Sequence, residues 1–242
     1  MVECGPRKGV WTPATRAALA ASFGAAARLR RGRPFHPAGL LFEARLRLHG
    51  TSRPWGAPFL DHRMDVYGFA RFSRSLGLPP PLPDILGLAL RWHQEDATAD
   101  LLLATTGHTP LGRRLLRPAT RWTGLYTSLF PYEAGGRRLV LGALLQRERP
   151  LPATFDALVR AADEGPILLD LAVAAPSGPW RIFGQIELTA PPMTDADLPT
   201  RFNPLLRPVP GLRPVGWLNE VRDAAYEAAQ RVPDRQKKIQ LR

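Results

Sequence analysis

Apolar residues recur along the chain first at helical spacing and then at every second position. Thr12-Pro13 has the form of an N-cap followed by proline in the first turn, and Leu19, Phe23, Ala26 and Leu29 continue at helical spacing, predicting a helix to about residue 29. From residue 40 the period is two. Phe42, Ala44, Leu46 and Leu48 share one face while Glu43, Arg45 and Arg47 share the other, which predicts a half-buried strand. Further strand-like stretches fall at 65–73, 86–93, 100–106, 138–145, 167–175 and 180–188. Pro176-Ser177-Gly178-Pro179 between the last two reads as a hairpin turn. A helical pattern interrupts at about 154–163 and returns strongly at 218–231. Leu78-Pro79-Pro80-Pro81-Leu82-Pro83 reads as an extended connector between strands, with a proline-rich docking site as the alternative. There is no internal repeat and no linker. The pattern predicts one domain, 1–242, of the α+β class: an antiparallel β-barrel of about eight strands with flanking helices.

Composition narrows the class without changing the fold. With 242 residues, 45% hydrophobic and 22% charged, the chain is an ordinary globular sequence, long enough to bury a large core. Its single cysteine, Cys4, excludes an internal disulfide or a cysteine-based zinc cluster and suits a reducing cytoplasm. No apolar run approaches the roughly 20 residues of a membrane-spanning helix. The alanine-rich N-terminus lacks a signal-peptide apolar core, and Arg30-Arg31 is followed by Gly-Arg-Pro, unlike a twin-arginine export signal. The net charge of +12 is carried almost wholly by arginine, since only Lys8, Lys237 and Lys238 are lysines. These arginines are scattered along the chain. They form no basic stripe interleaved with aromatics, so codon usage explains most of them and nucleic acid is not an expected partner.

Three segments carry candidate chemistry. No phosphate-cradling glycine loop, paired-histidine helix motif or nucleophile elbow is present. His49, His62, His93 and His108 show no metal-ligand spacing, whereas His36 sits in Arg33-Pro34-Phe35-His36 just before a strand. Read alone, it is a structural loop histidine or a general base. In 66–73, period two puts Tyr67, Phe69, Arg71 and Ser73 on one face, and this is a barrel exterior or one wall of an anion-binding pocket. Arg222 and Tyr226 lie four apart on a helical face, where the guanidinium would favour a phenolate, or where both simply belong to a packed amphipathic helix.

Taken in order, these segments resemble the catalase family. Arg33-Pro34-Phe35-His36 resembles its arginine three residues before the distal histidine, and Arg71-Phe72-Ser73 its Arg-Phe-Ser strand. Asp84-Ile85-Leu86-Gly87-Leu88-Ala89-Leu90-Arg91 is similar to its Asp-x-x-Gly-Phe-Ala-x-Lys segment, and Asp100-Leu101-Leu102-Leu103 stands where the family has Asp-Leu-Val-Gly. Arg222-x-x-x-Tyr226-x-x-x-x-Arg231 resembles the helix of the proximal tyrosinate, and Tyr126-Thr127-Ser128 echoes a Gly-Tyr-Gly-Ser segment. At about half the length of a full subunit, the chain looks like the small catalase-related haem peroxidases.

The resemblance implies haem b, with its iron bound by Tyr226 as proximal ligand and Arg222 keeping that oxygen ionised. It implies His36 as distal acid and base, oriented by Ser73, with Arg33, Arg71 and Arg231 on the haem propionates. Two departures stand out. After Asp100-Leu101-Leu102-Leu103 the family's distal asparagine is missing and the chain reads Ala104-Thr105-Thr106, leaving Thr105 as the candidate donor. Phe35 takes the place of a small residue gating the channel. Both point from dismutation toward a peroxidase that reduces hydrogen peroxide or an organic hydroperoxide with a small organic or lipid co-substrate. Rearrangement of a fatty-acid hydroperoxide and non-enzymatic haem binding are the alternatives, and a homo-oligomer stays open.

Overall fold

The computed structural model describes residues 39–94, 97–188, 193–194, 202–204 and 206–215. In chain order the strands are β1 (Gly39–Leu48), β2 (Met64–Arg74), β3 (Leu86–Gln94), β4 (Ala97–Thr105), β5 (Gly124–Thr127), β6 (Tyr132–Ala134), β7 (Arg137–Leu145), β8 (Ile167–Ala174), β9 (Arg181–Leu188), β10 (Met193–Thr194) and β11 (Arg213–Pro214). Eight of them close into an antiparallel barrel in the order β1-β2-β3-β4-β5-β7-β8-β9, with β9 pairing back onto β1. β10 adds to β1, and β11 pairs with β6 beside β7.

Alternation decides what fills the barrel. Leu40, Phe42, Ala44, Leu46 and Leu48 of β1 point inward, and the register brings Phe72, Leu88 and Leu103 of the next three strands onto the same face. The interior holds an aromatic cluster. Phe72 meets Phe42 and Trp122 edge-on at 5.9 and 5.4 Å between centroids, and Phe59 stacks on Trp92 at 4.8 Å. Each such pair contributes about 0.5–1.5 kcal/mol beyond the area it removes from water.

All seven strands expected from period-two alternation are present, and Pro176-Ser177-Gly178-Pro179 does join β8 to β9. The helix expected at 154–163 is α1 (Phe155–Glu164), where the Thr154 hydroxyl accepts the Ala157 N–H at 3.2 Å as N-cap. β5 and β6 escape the alternation rule because they span only four and three residues. The helices expected to residue 29 and over 218–231 lie outside the described residues.

Candidate functional site

The outward-facing residues of β1 to β4 form rows set by the hydrogen-bond register. One row runs Gly39, Ser73, Gly87, Ala104, and the next runs Leu41, Arg71, Ala89, Leu102. Five of these eight side chains are glycine, alanine or serine, so this patch of wall is nearly flat. Ser73, Gly87, Leu41 and Ala89 are buried although they point out of the barrel. The Arg71 guanidinium lies over Gly39, where an added Cβ would come within 2.6 Å of it. Glycine at position 39 therefore makes room for the arginine. The Ser73 hydroxyl donates to the Gly87 carbonyl across the strand pair at 3.5 Å, a long and weak bond.

The following row carries Arg91 and Asp100. They form a fork at 2.6 and 2.7 Å, and the Asp100 carboxylate is fully buried. The same carboxylate accepts the Asn203 N–H at 2.6 Å, the Asp100 N–H donates to the Arg207 carbonyl at 2.8 Å, and Arg91 lies 4.9 Å from the Phe202 ring centroid. This clamp ties residues 202–207 to the outer wall. The family-like spacing at Asp100 had marked the residue without showing that its partner is Arg91, opposite it in the β3–β4 register.

The structure thus brings Arg71 and Ser73 together and leaves Thr105 apart. Thr105 points into the barrel. Its hydroxyl proton goes to the Arg117 carbonyl at 2.7 Å while its oxygen accepts the Leu86 N–H at 3.1 Å. Ala104, not Thr105, stands in the row of Ser73 and Gly87, and it offers only a methyl group there. Strand parity in the sequence was the signal for this, since Leu101, Leu103 and Thr105 share one face and Leu102 and Ala104 the other. Arg33, His36, Arg222, Tyr226 and Arg231 lie outside the described residues.

Neither of the buried tyrosines, Tyr126 and Tyr132, offers a phenolate. Burial pushes the Tyr126 phenol far above its ordinary range, and its hydroxyl donates to the Trp122 carbonyl at 2.7 Å. Burial likewise pushes Tyr132 up to about 12. Among the described residues, no group of three or more histidine, cysteine, aspartate or glutamate side chains is placed to hold a metal. Another buried cation lies at the turn joining β8 to β9: Arg113 donates to the Ala175 and Gly178 carbonyls at 3.1 Å and lies 4.5 Å from the Trp180 ring centroid. Burial, with Arg114 nearby, holds its pKa below the usual arginine value.

No protein-family model and no curated protein matches the chain. Solved structures do. A bacterial catalase aligns with a TM-score of 0.57 at 15% identity over 95% of this chain and 62% of its own. A fungal catalase aligns at 0.57 and 12% over 93% and 63%, and catalase A from Saccharomyces cerevisiae at 0.57 and 13% over 96% and 67%. The fold is catalase-like. The chain spans less than two thirds of the length of the bacterial and fungal catalases it matches.

Proposed function

We propose that this chain is a haem-dependent, catalase-like peroxidase that reduces hydrogen peroxide or organic hydroperoxides. The observation that carries this reading is the placement of Arg71 and Ser73 side by side on the outer wall of a catalase-like barrel, over a floor of Gly39, Gly87, Ala89 and Ala104. The chemistry of such a floor, small side chains bordered by Leu41 and Leu102 beside a guanidinium, would suit a flat apolar ring bearing carboxylates. Haem, when bound, would supply the ferric iron that takes part in electron transfer.

The chain's own residues would do the rest. Arg71, with Arg33 and Arg231, holds propionates by its forked donors. Tyr226 would supply a hard anionic oxygen to the iron, and Arg222, four positions earlier in the sequence, would favour its ionised form. This fits the neutrality of Tyr126 and Tyr132, whose burial disfavours their phenolates. His36 would take the O–H proton of the hydroperoxide and pass it to the departing oxygen as the O–O bond breaks. Ser73 keeps that ring oriented. For a hydroperoxide the balance is ROOH plus two electrons and two protons giving ROH and water, the electrons coming from a small organic donor. With only a methyl at Ala104, the strand row beside Ser73 offers no amide among the described residues, which favours alkyl hydroperoxides over dismutation.

Titration of the purified chain with haemin tests this reading. The expected result is a saturable Soret band that Tyr226→Phe weakens or shifts. Absence of any Soret band in the parent protein overturns it. Rearrangement of a lipid hydroperoxide is the second reading, supported by the apolar border of Leu41 and Leu102. An epoxide or aldehyde product, in place of the simple alcohol, decides for it.

A further inference from the structure

The proline-rich loop of residues 75–83 between β2 and β3 has its backbone turned inward and its side chains turned out. Beneath it, Arg74 and Asp84 form a buried ion pair with Nε and Oδ2 3.6 Å apart. The Asp84 carboxylate accepts the N–H groups of Leu76 and Leu78 at 2.8 and 3.2 Å. Arg74 donates to the carbonyls of Leu78 and Leu82 at 2.8 and 3.1 Å, and to that of Ala153. Ser75 N–H reaches the Ile85 carbonyl and Leu82 N–H the Pro79 carbonyl. Four of the loop's nine residues are prolines without an N–H, and four of the other five N–H groups are bonded in these ways. Leu76, Leu78 and Leu82 are exposed, and residues 75–83 carry no charge.

A second loop lies against the first. Asp84 and Ala119 exchange N–H···O bonds at 3.1 and 2.8 Å, so Leu82 and Arg121, each two residues from this antiparallel bridge, lie on the same side of it. Arg117 and Arg121 are exposed, as are Leu111 and Leu115, the former 71% accessible. From residue 101 to 132 there is no acidic residue. The two loops hold five of the ten exposed large hydrophobic residues among the described ones. Leu76, Leu78 and Leu82 fall within seven residues of one uncharged loop, a concentration that singly scattered surface leucines do not give.

We propose that these two loops form a docking surface for an anionic lipid bilayer. Entry toward the acyl boundary favours a segment whose backbone polar groups are already satisfied internally, and the Arg74–Asp84 pair together with two backbone bonds satisfies four of the first loop's five N–H groups. The outward leucines would enter the acyl boundary, and Arg117 and Arg121 would meet lipid phosphates. Such binding is peripheral, in keeping with the fact that no helix among the described residues is long and apolar enough to span a membrane. It is independent of the haem reading.

Flotation of the full chain with vesicles tests this. Vesicles of phosphatidylcholine mixed with phosphatidylglycerol should carry the protein, and vesicles of phosphatidylcholine alone should carry it less. A combined Leu76→Ser, Leu78→Ser, Leu82→Ser variant should lose about tenfold or more in partitioning. A combined Arg117→Gln, Arg121→Gln variant should lose about fivefold for each arginine and show a weaker salt dependence. Thermal melting confirms that each variant is folded, and the arginine variant gives a second reading should the leucine variant fail that control. The proposal is overturned if the parent protein does not float with mixed vesicles, or if a folded leucine variant floats as well as the parent. Capture by a proline-recognising SH3 domain, lost on Pro80→Ala and without vesicle binding, also overturns it.

Discussion

Thr105 and Ser73 are both buried hydroxyls within the same strand network, yet they face opposite sides of the wall. Thr105 bridges the first amide of β3 and the Arg117 carbonyl, so its work is architectural. Thr105→Val should leave both backbone groups unpaired and cost about 1–3 kcal/mol, measured by urea denaturation, while haemin binding stays unchanged. A loss of haem affinity without a loss of stability would return Thr105 to the site. The sequence motif pointed to this residue because it is the first side chain after Asp100-Leu101-Leu102-Leu103 able to donate a hydrogen bond. Strand parity, equally visible in the sequence, assigns the outward place to Ala104. The pairing of Arg71 with Ser73 was legible from that same parity. The fit of Arg71 over Gly39 was not, because it depends on which strand lies beside β2. Gly39→Leu should push the guanidinium from its place and weaken haemin binding at least tenfold with little change in stability, an outcome that fluorescence quenching can follow.

At the scale of elements, the long strands were legible because one face of each is apolar over many residues. β5 was not, since Gly124-Leu125-Tyr126-Thr127 is too short to show a period and is buried or nearly so throughout. Loops were harder still. In the turn before β2, Asp61 gathers the N–H groups of Trp55, Gly56 and Ala57 and the Thr51 hydroxyl. Burial acts to raise its pKa, but these donors outweigh it and hold the carboxyl below its usual value. A lowered folded pKa means that the stabilisation is fully present above the unfolded value, about 3.9, and is lost as pH falls through the lower folded one. The parent protein should therefore lose stability in that acid window. Asp61→Asn should lower stability at neutral pH and flatten this part of the profile, checked by thermal melting from neutral pH down to about 3. An unchanged acid limb in the variant would show that other carboxylates dominate it.

For the molecule as a whole, the +12 charge divides by setting. Some arginines are consumed by structure: Arg91 by Asp100, Arg74 by Asp84, and Arg113 by carbonyl oxygens. Arg71 belongs to the flat wall, and Arg117 and Arg121 to an exposed margin. A scattered distribution along the sequence becomes a sorted one in space, which no count of residues foretells. The closure of the barrel has a separate consequence. Each of its eight staves is paired on both flanks, so none can detach without opening two seams at once. Solvent deuterium should then enter the central amides of all eight through one shared opening event, as a single slow class in exchange followed by mass spectrometry, and the barrel would ripen or come apart as one body.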